Sequence, residues 1–262
     1  MTRVALFGAT GRMGQAIARV LAGDRDARVV AAWAHGGDER LGLDLGELAG
    51  VGRLEVAIGV LGEIDADVVI DFTTPDGTEL VATACAASGA ALVSGTTGLH
   101  AAAEDALRRA AASVPVVHAP NMSVGVTLLF HLAELAASRL DDFDAEIVEM
   151  HHRHKVDAPS GTAVRLAEHV ARARSLSPER ALRFARSGQV GPRTADEIGV
   201  MTLRGGAVVG DHTLHLVGEG ERLELTHRAM DRSIFARGAV RAAKWCVDQP
   251  PGHYGMADVL GL

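Results

Sequence analysis

The sequence predicts an α/β protein: a Rossmann-like, doubly wound parallel sheet domain plus a smaller α+β domain with an open mixed sheet. Three observations carry this. Strand-like apolar runs alternate with helix-length segments from Val4 to His118. A glycine-rich turn, Gly8-Ala9-Thr10-Gly11-Arg12-Met13-Gly14, joins the first strand to the first helix. After Asn121 the texture changes to one long helical stretch followed by short runs punctuated by glycine.

The first half reads Val4–Phe7 as a strand, Gln15–Ala22 as a helix and Arg28–Trp33 as the second strand. Ala66-Asp67-Val68-Val69-Ile70-Asp71-Phe72 is apolar enough to be buried on both faces, as parallel strands are. Thr78–Ser88 is helical, Ala91–Ser94 a strand ending in Gly95-Thr96-Thr97-Gly98, Ala101–Ala112 helical and Val114–His118 a strand. In such a sheet ligands sit beyond the C-terminal strand ends, where the loops at Gly8–Gly14, Gly95–Gly98 and Ala119–Met122 are expected to converge.

The second half reads Val124–Arg139 as a helix, Ala145–His154 as a strand and Ala163–Ala173 as a helix. Gly199–Arg228 is broken by Gly205-Gly206, Gly210-Asp211 and Gly218-Glu219-Gly220, the pattern of antiparallel hairpins. Ser187–Thr194 is the expected mobile loop. Phe235–Val247 is a closing helix returning to the first domain, so residues 1–122 with 235–262 are expected to form the dinucleotide-binding domain. Residues 123–234 are then the substrate-binding and oligomerisation domain.

Composition limits the function classes. A chain of 262 residues that is 48% hydrophobic can bury a core, so disorder is excluded. The formal charge of −7 is spread along the chain without a basic block, which argues against nucleic acid. Two isolated cysteines, Cys85 and Cys246, suggest neither a disulfide framework nor a thiolate metal site. Met1 leads straight into an apolar strand without a basic leader, signal core or membrane-length run, so a cytoplasmic, membrane-free protein is expected.

The spacing of the first turn is G-x-x-G-x-x-G. Glycines there let backbone approach a pyrophosphate seated on the N–H groups of the following helix. A site selective for NAD wants a carboxylate at the end of the second strand, but Trp33-Ala34-His35-Gly36 stands there, with none before Asp38. With Arg12 and Arg40 nearby in sequence, a 2′-phosphate is tolerated, and NADPH is expected to serve at least as well as NADH.

Glu146-Ile147-Val148-Glu149-Met150-His151-His152-Arg153-His154-Lys155 concentrates titratable groups. If strand geometry persists, Glu149, His151, Arg153 and Lys155 share one face and His152 and His154 the other; alternatively the strand ends near His152 and the rest curls around a ligand. A histidine side chain has an intrinsic pKa close to working pH, which makes His151 a candidate proton donor. Lys155 is one of only two lysines, beside Lys244, and unlike arginine it can give up a proton. Three histidines could hold a metal, but contiguous strand residues cannot all face one ion, so no metal is expected. Asp157-Ala158-Pro159-Ser160-Gly161-Thr162 opens a helix that Ser160 or Thr162 can cap, an N-terminus suited to a carboxylate or phosphate. Together these features describe a pocket for a small dianion.

The chain resembles the 4-hydroxy-tetrahydrodipicolinate reductase family of diaminopimelate and lysine synthesis. The resemblance covers nearly the whole chain. It is carried by Gly8–Gly14, Asp71-Phe72-Thr73, Gly95-Thr96-Thr97-Gly98, Ala119-Pro120-Asn121-Met122-Ser123-Val124-Gly125-Val126 and above all Glu149–Thr162. It implies NAD(P)H-dependent reduction of a small cyclic dicarboxylate, with His151 as acid/base residue and Lys155 as a second proton donor. His152, Lys155, Ser160, Gly161 and Thr162 would hold the two carboxylates. Gly8, Ala9, Thr10, Gly11, Arg12, Met13, His35, Gly95, Thr96, Thr97, Ala119, Pro120, Asn121 and Met122 would line the cofactor. The family is usually a homotetramer built through the sheet of the second domain. Ala34-His35 departs from the acidic-then-basic pair often found there and puts the use of NADH in question. A redox-sensing or regulatory dinucleotide-binding protein that had lost catalysis would show damage in the His151–Lys155 run, and none is visible.

Overall fold

The computed structural model describes residues 1–262. In chain order the elements are β1 (Thr2–Phe7), α1 (Arg12–Ala22), β2 (Ala27–Trp33), α2 (Leu45–Ala49), β3 (Ile58–Gly59), β4 (Val68–Asp71), α3 (Pro75–Ser88), β5 (Ala91–Ser94), α4 (Ala101–Ala110) and β6 (Pro115–His118). There follow α5 (Val124–Arg139), β7 (Asp144–His151), α6 (Gly161–Ala173), α7 (Pro178–Ala181), β8 (Leu182–Arg183), β9 (Ile198–Arg204), β10 (Gly210–Val217) and β11 (Arg222–Ala229). The chain ends in α8 (Ser233–Cys246), β12 (Gly252–Tyr254) and α9 (Met256–Leu260). It divides into two compact units, Met1–Val124 with Ser233–Leu262, and Gly125–Arg232. No helix is long and apolar enough to cross a membrane.

The first unit is a parallel seven-stranded sheet in the order β12-β6-β5-β4-β1-β2-β3. The order in which the chain adds strands reverses between β1 and β4, the switch point at which such sheets bind ligands. Successive residues face opposite cores: Val4, Leu6, Val68, Ile70 and Val93 pack with α1 and α8, while Ala5, Phe7, Val69 and Leu92 pack with α3 and α4. Burial on both faces is why β4 and β5 read as unbroken apolar runs. Helix α1 begins at Arg12, earlier than Gln15, because the Gly8–Gly14 turn runs into its first turn. A Cβ on Gly8, which also has φ +83°, would lie 2.4 Å from the Phe72 carbonyl oxygen, and one on Gly14 would lie 2.3 Å from that of Gly8. The short strands β3, β8 and β12 were absent from the sequence reading.

The second unit is a five-stranded mixed sheet, β11-β10-β7-β9-β8. Its inner face, covered by α5 and α6, carries Ala145, Ile147, Ile198, Val200, Leu214 and Leu216 with Leu129, Ala133, Leu166 and Val170. Two expectations are corrected here. Only β10 and β11 form the antiparallel hairpin, because β9 pairs parallel with β7; the alternation of a strand is the same in either direction and does not encode it. Strand β7 stops at His151 rather than His154, since Arg153 N–H donates to Gly206 O and Lys155 N–H to His152 O, closing a turn. Arg153 and Lys155 therefore do not continue the face shared by Glu149 and His151.

Gly14→Ala must displace backbone, so it should cost more than about 2 kcal/mol, whereas Gly59→Ala, whose Cβ would meet nothing within 4 Å, should not destabilise. Urea midpoints of the two variants test this; equal midpoints would show that the α1 approach is not constrained.

Candidate active site

In the first unit the loops beyond β4 and β5 are joined through Asp71. This fully buried carboxylate at the end of β4 accepts from the hydroxyls of Thr73 (2.6 Å), Thr78 (2.7 Å), Ser94 (2.7 Å) and Thr96 (3.1 Å). Thr96 Oγ1 also accepts from Thr73 N, and Thr96 O lies 3.2 Å from His118 Nε2. Gly8 packs on the Phe72 carbonyl and Ala119 N–H donates to Ser94 O at 3.2 Å, so the turn around Gly8, the Gly95-Thr96-Thr97 loop and the segment starting at Ala119 lie beyond the C-terminal ends of neighbouring strands. Ser123 N–H donates to Asn121 Oδ1, fixing the bend after Pro120. Ala9, Ala119 and Met122 are buried, so what they offer a ligand is backbone.

These residues fit a dinucleotide. The glycine turn has no room for side chains, and no side chain caps the first turn of α1 at Gly11, leaving that helix start open to a pyrophosphate beside Arg12 and Met13. One detail differs from the sequence reading. Arg40 is not a free cation: its Nε and Nη2 donate to Asp38 at 2.7 Å and its Nη1 to Thr10 O at 2.9 Å, while Thr10 Oγ1 donates to Asp38. Arg40 and Thr10 hold the Asp38 carboxyl well below the usual carboxylate range. His35 stands in solvent, its side chain 76% exposed, with Nε2 3.9 Å from Asp38.

In the second unit two of the predicted residues, His151 and Ser160, bond to Glu149, whereas Lys155 and His152 have other neighbours. Glu149 is fully buried, and its carboxylate accepts from His151 Nδ1 (2.6 Å), Ser160 N (3.0 Å), Thr202 Oγ1 (3.1 Å) and both terminal nitrogens of Arg204 (2.8 and 3.0 Å). Burial alone would raise its pKa; the hydrogen bonds from Arg204, His151 and Ser160 outweigh that and lower it, so Glu149 is an anion. The partners follow from register, with Thr202 and His212 opposite Glu149 and Arg204 opposite His151.

Ser160 caps α6, accepting from Ala163 N at 3.1 Å, and its hydroxyl meets His212 Nε2 at 2.9 Å. Thr162 is not the cap. Burial, reinforced by the charge of His151, pushes His212 down to about 4, so it is neutral at working pH. Gly161 and Thr162 form the open first turn beyond Ser160. Lys155 reaches the Asp157 carboxylate with both oxygens, at 2.7 and 2.8 Å, and this ammonium lowers the Asp157 pKa. His152 lines a cavity of about 760 Å³ with Arg153, His154, Gly206, Ala207 and Arg232. No cluster of His, Cys, Asp and Glu is arranged to hold a metal ion. The arrangement offers a carboxylate-oriented imidazole, an ammonium and a capped helix start side by side, which suits proton transfer to a bound anion.

Comparison with known proteins agrees along the whole chain. Residues 2–122 match the model for the dihydrodipicolinate reductase N-terminus and residues 125–260 that for its C-terminus. The 4-hydroxy-tetrahydrodipicolinate reductase of Alkalilimnicola ehrlichii is 49% identical over 100% of this chain and 99% of its own length. That of Anaeromyxobacter dehalogenans is 51% identical over 100% and 98%. The dipicolinate-bound dihydrodipicolinate reductase of Paenisporosarcina sp. TG-14 superposes with a TM-score of 0.78 at 25% identity, covering 98% of each chain. The chain belongs to the dihydrodipicolinate reductase family.

Proposed function

We propose that this oxidoreductase reduces 4-hydroxy-tetrahydrodipicolinate, after loss of water, to tetrahydrodipicolinate in diaminopimelate and lysine biosynthesis, with His151 and Lys155 as its proton donors. One observation carries the assignment of roles: a buried carboxylate orients His151 and also anchors the start of α6, where an anion would sit. Residues 1–122 with 235–262 serve as the dinucleotide-binding domain, and residues 123–234 as the substrate-binding and oligomerisation domain.

The bound reduced nicotinamide supplies the hydride. The chain's own residues do the rest. Gly8, Ala9, Thr10, Gly11, Arg12 and Met13 cradle the dinucleotide, with His35, Gly95, Thr96, Thr97, Ala119, Pro120, Asn121 and Met122 along its length. His152, Ser160, Gly161 and Thr162 hold the two carboxylates, fixing the ring so that the reacting atoms stay in register. Lys155 stands by the ring nitrogen, where positive charge assists hydride addition at the conjugated carbon, and His151 returns a proton to the resulting enamine.

NADPH is proposed to serve at least as well as NADH. No carboxylate follows β2 to accept from a ribose hydroxyl, and the nearest, Asp38, is already filled by Thr10 and Arg40. Arg12 is exposed at the first turn of α1 and His35 at the loop beyond β2, both able to meet a phosphate. A cytoplasmic homotetramer is proposed, joined through the outer face of the second unit's sheet. No helix covers that face, and it presents Leu203 and Val217 to solvent beside Met150 and Met201. Light scattering should then return four times the 27.3 kDa chain mass.

Lys155→Arg keeps the charge but not the ability to release a proton, so kcat should fall at least about 100-fold; near-normal turnover would leave Lys155 only a carboxylate binder. Steady-state kinetics with both cofactors should give NADPH a kcat/KM equal to or above that of NADH. A large preference for NADH would mean that the loop after β2 accepts the ribose some other way.

A further inference from the structure

We infer that Glu149 is a positioning residue that acts through His151: it fixes the imidazole so that Nε2 is the nitrogen that delivers the proton. This rests on the reading of His151 as the acid. A carboxylate only accepts, so the 2.6 Å contact makes Nδ1 the donor to Glu149 in either charge state of the ring. Protonated His151 gives up the proton on Nε2, and the neutral ring left behind is the Nδ1–H tautomer, still bonded to Glu149.

The surroundings of Nε2 agree. His151 packs against Gly210 of β10, where a Cβ would lie 2.9 Å from Nε2; the glycine leaves that nitrogen its space. The ring of His212 stands edge-on to it, with centroids 5.2 Å apart. Both oxygens of Glu149 are occupied. Oε2 takes His151 and one Arg204 nitrogen, while Oε1 takes Ser160 N–H, Thr202 and the other Arg204 nitrogen. The carboxylate cannot swing away from the ring without abandoning the start of α6.

The charged and titratable groups around His151 are Glu149 on its own strand, Arg204 from β9, His212 from β10 with His227 beyond it on β11, and Lys155 with Asp157 from the following turn. Glu149 is the anion in direct contact with the ring, and Arg204 is the cation that shares the same carboxylate. Arg204 also donates to Asp157 O at 2.7 Å, so this cation is itself tied to the turn carrying Lys155.

Glu149→Gln preserves shape and leaves one oxygen to accept from Ser160 N, but it turns an amide N–H₂ toward His151 Nδ1. The ring must then accept at Nδ1, which favours its neutral form. A proton donor is lost as pH rises through its pKa, so the alkaline limb of the kcat profile should move to lower pH by about one unit or more. kcat at neutral pH should fall at least about tenfold, with KM for the dicarboxylate changed little. A purely structural Glu149 would lower the amount of active enzyme and leave the limb in place, and that result overturns the inference. His151→Gln is the companion variant: if it retains wild-type kcat, the assignment of His151 as acid fails instead. Should Glu149→Gln not fold, nitrogen-15 spectra of the wild-type histidine rings decide. Above its titration His151 should be the Nδ1–H tautomer; an Nε2–H tautomer overturns the inference.

Discussion

A carboxyl group taken wholly out of water needs hydrogen-bond donors for its oxygens, and this fold buries one at the same kind of place in each unit. Asp71 ends β4 and Glu149 lies near the end of β7, both without exposed surface. Each uses its acceptor sites to tie strand ends to the loops beyond them. The donors differ with the task. Asp71 gathers four hydroxyls, neutral groups that set the shape of the loops beyond β4 and β5. Glu149 gathers an arginine, an imidazole, a threonine hydroxyl and a helix-start N–H, so its partners include charged and oriented groups. Removing one member of a buried ion pair such as Glu149–Arg204 typically costs about 3–5 kcal/mol, so position and stability depend on the same contacts there.

The second sheet shows how the polar group is accommodated. Along its inner face the ranks run Ala145 with Ile198 and Leu216, Ile147 with Val200 and Leu214, Glu149 with Thr202 and His212, and His151 with Arg204. Two apolar ranks pack under α5 and α6, and two polar ranks follow where α6 begins. The helix start brings backbone N–H groups over the very ranks that need donors. The apolar ranks supply the rigidity and the polar ranks inherit it, as chemistry built on strands requires.

The parts of this arrangement that were legible in the sequence are those where local pattern and tertiary role coincide. Strands buried on both faces of a parallel sheet are continuous apolar runs, and the glycine turn after β1 is dictated by close backbone approach, so the first unit could be read directly. The contiguous His151–Thr162 segment could also be read, because it carries most of the site on one stretch of chain. Arg204 and His212 could not be tied to it: they reach Glu149 and Ser160 across 55 and 52 residues, by strand register alone. The direction of β9 was hidden for a related reason, since alternation looks the same in parallel and antiparallel pairs. Two-residue strands such as β3 and β8 have no period at all; they exist only because a neighbour pairs with them.

The chain's uneven use of its cations now has a physical reading. Arg204 and Lys155 each face a carboxylate, but the pairs are built for opposite purposes. Arg204 sits against a partner with no exposed surface, offers two parallel N–H groups, and is bonded further to backbone at Leu203 and Asp157. That geometry suits a planar, permanently charged fork and resists exchange. Lys155 binds Asp157, whose side chain is 56% exposed. An ion pair of that kind contributes about 0–1 kcal/mol, so an arriving carboxylate can compete for the ammonium at small cost. In a chain with 24 arginines and two lysines, the buried carboxylate is met by the rigid fork of an arginine and the exposed one by the more mobile ammonium of Lys155.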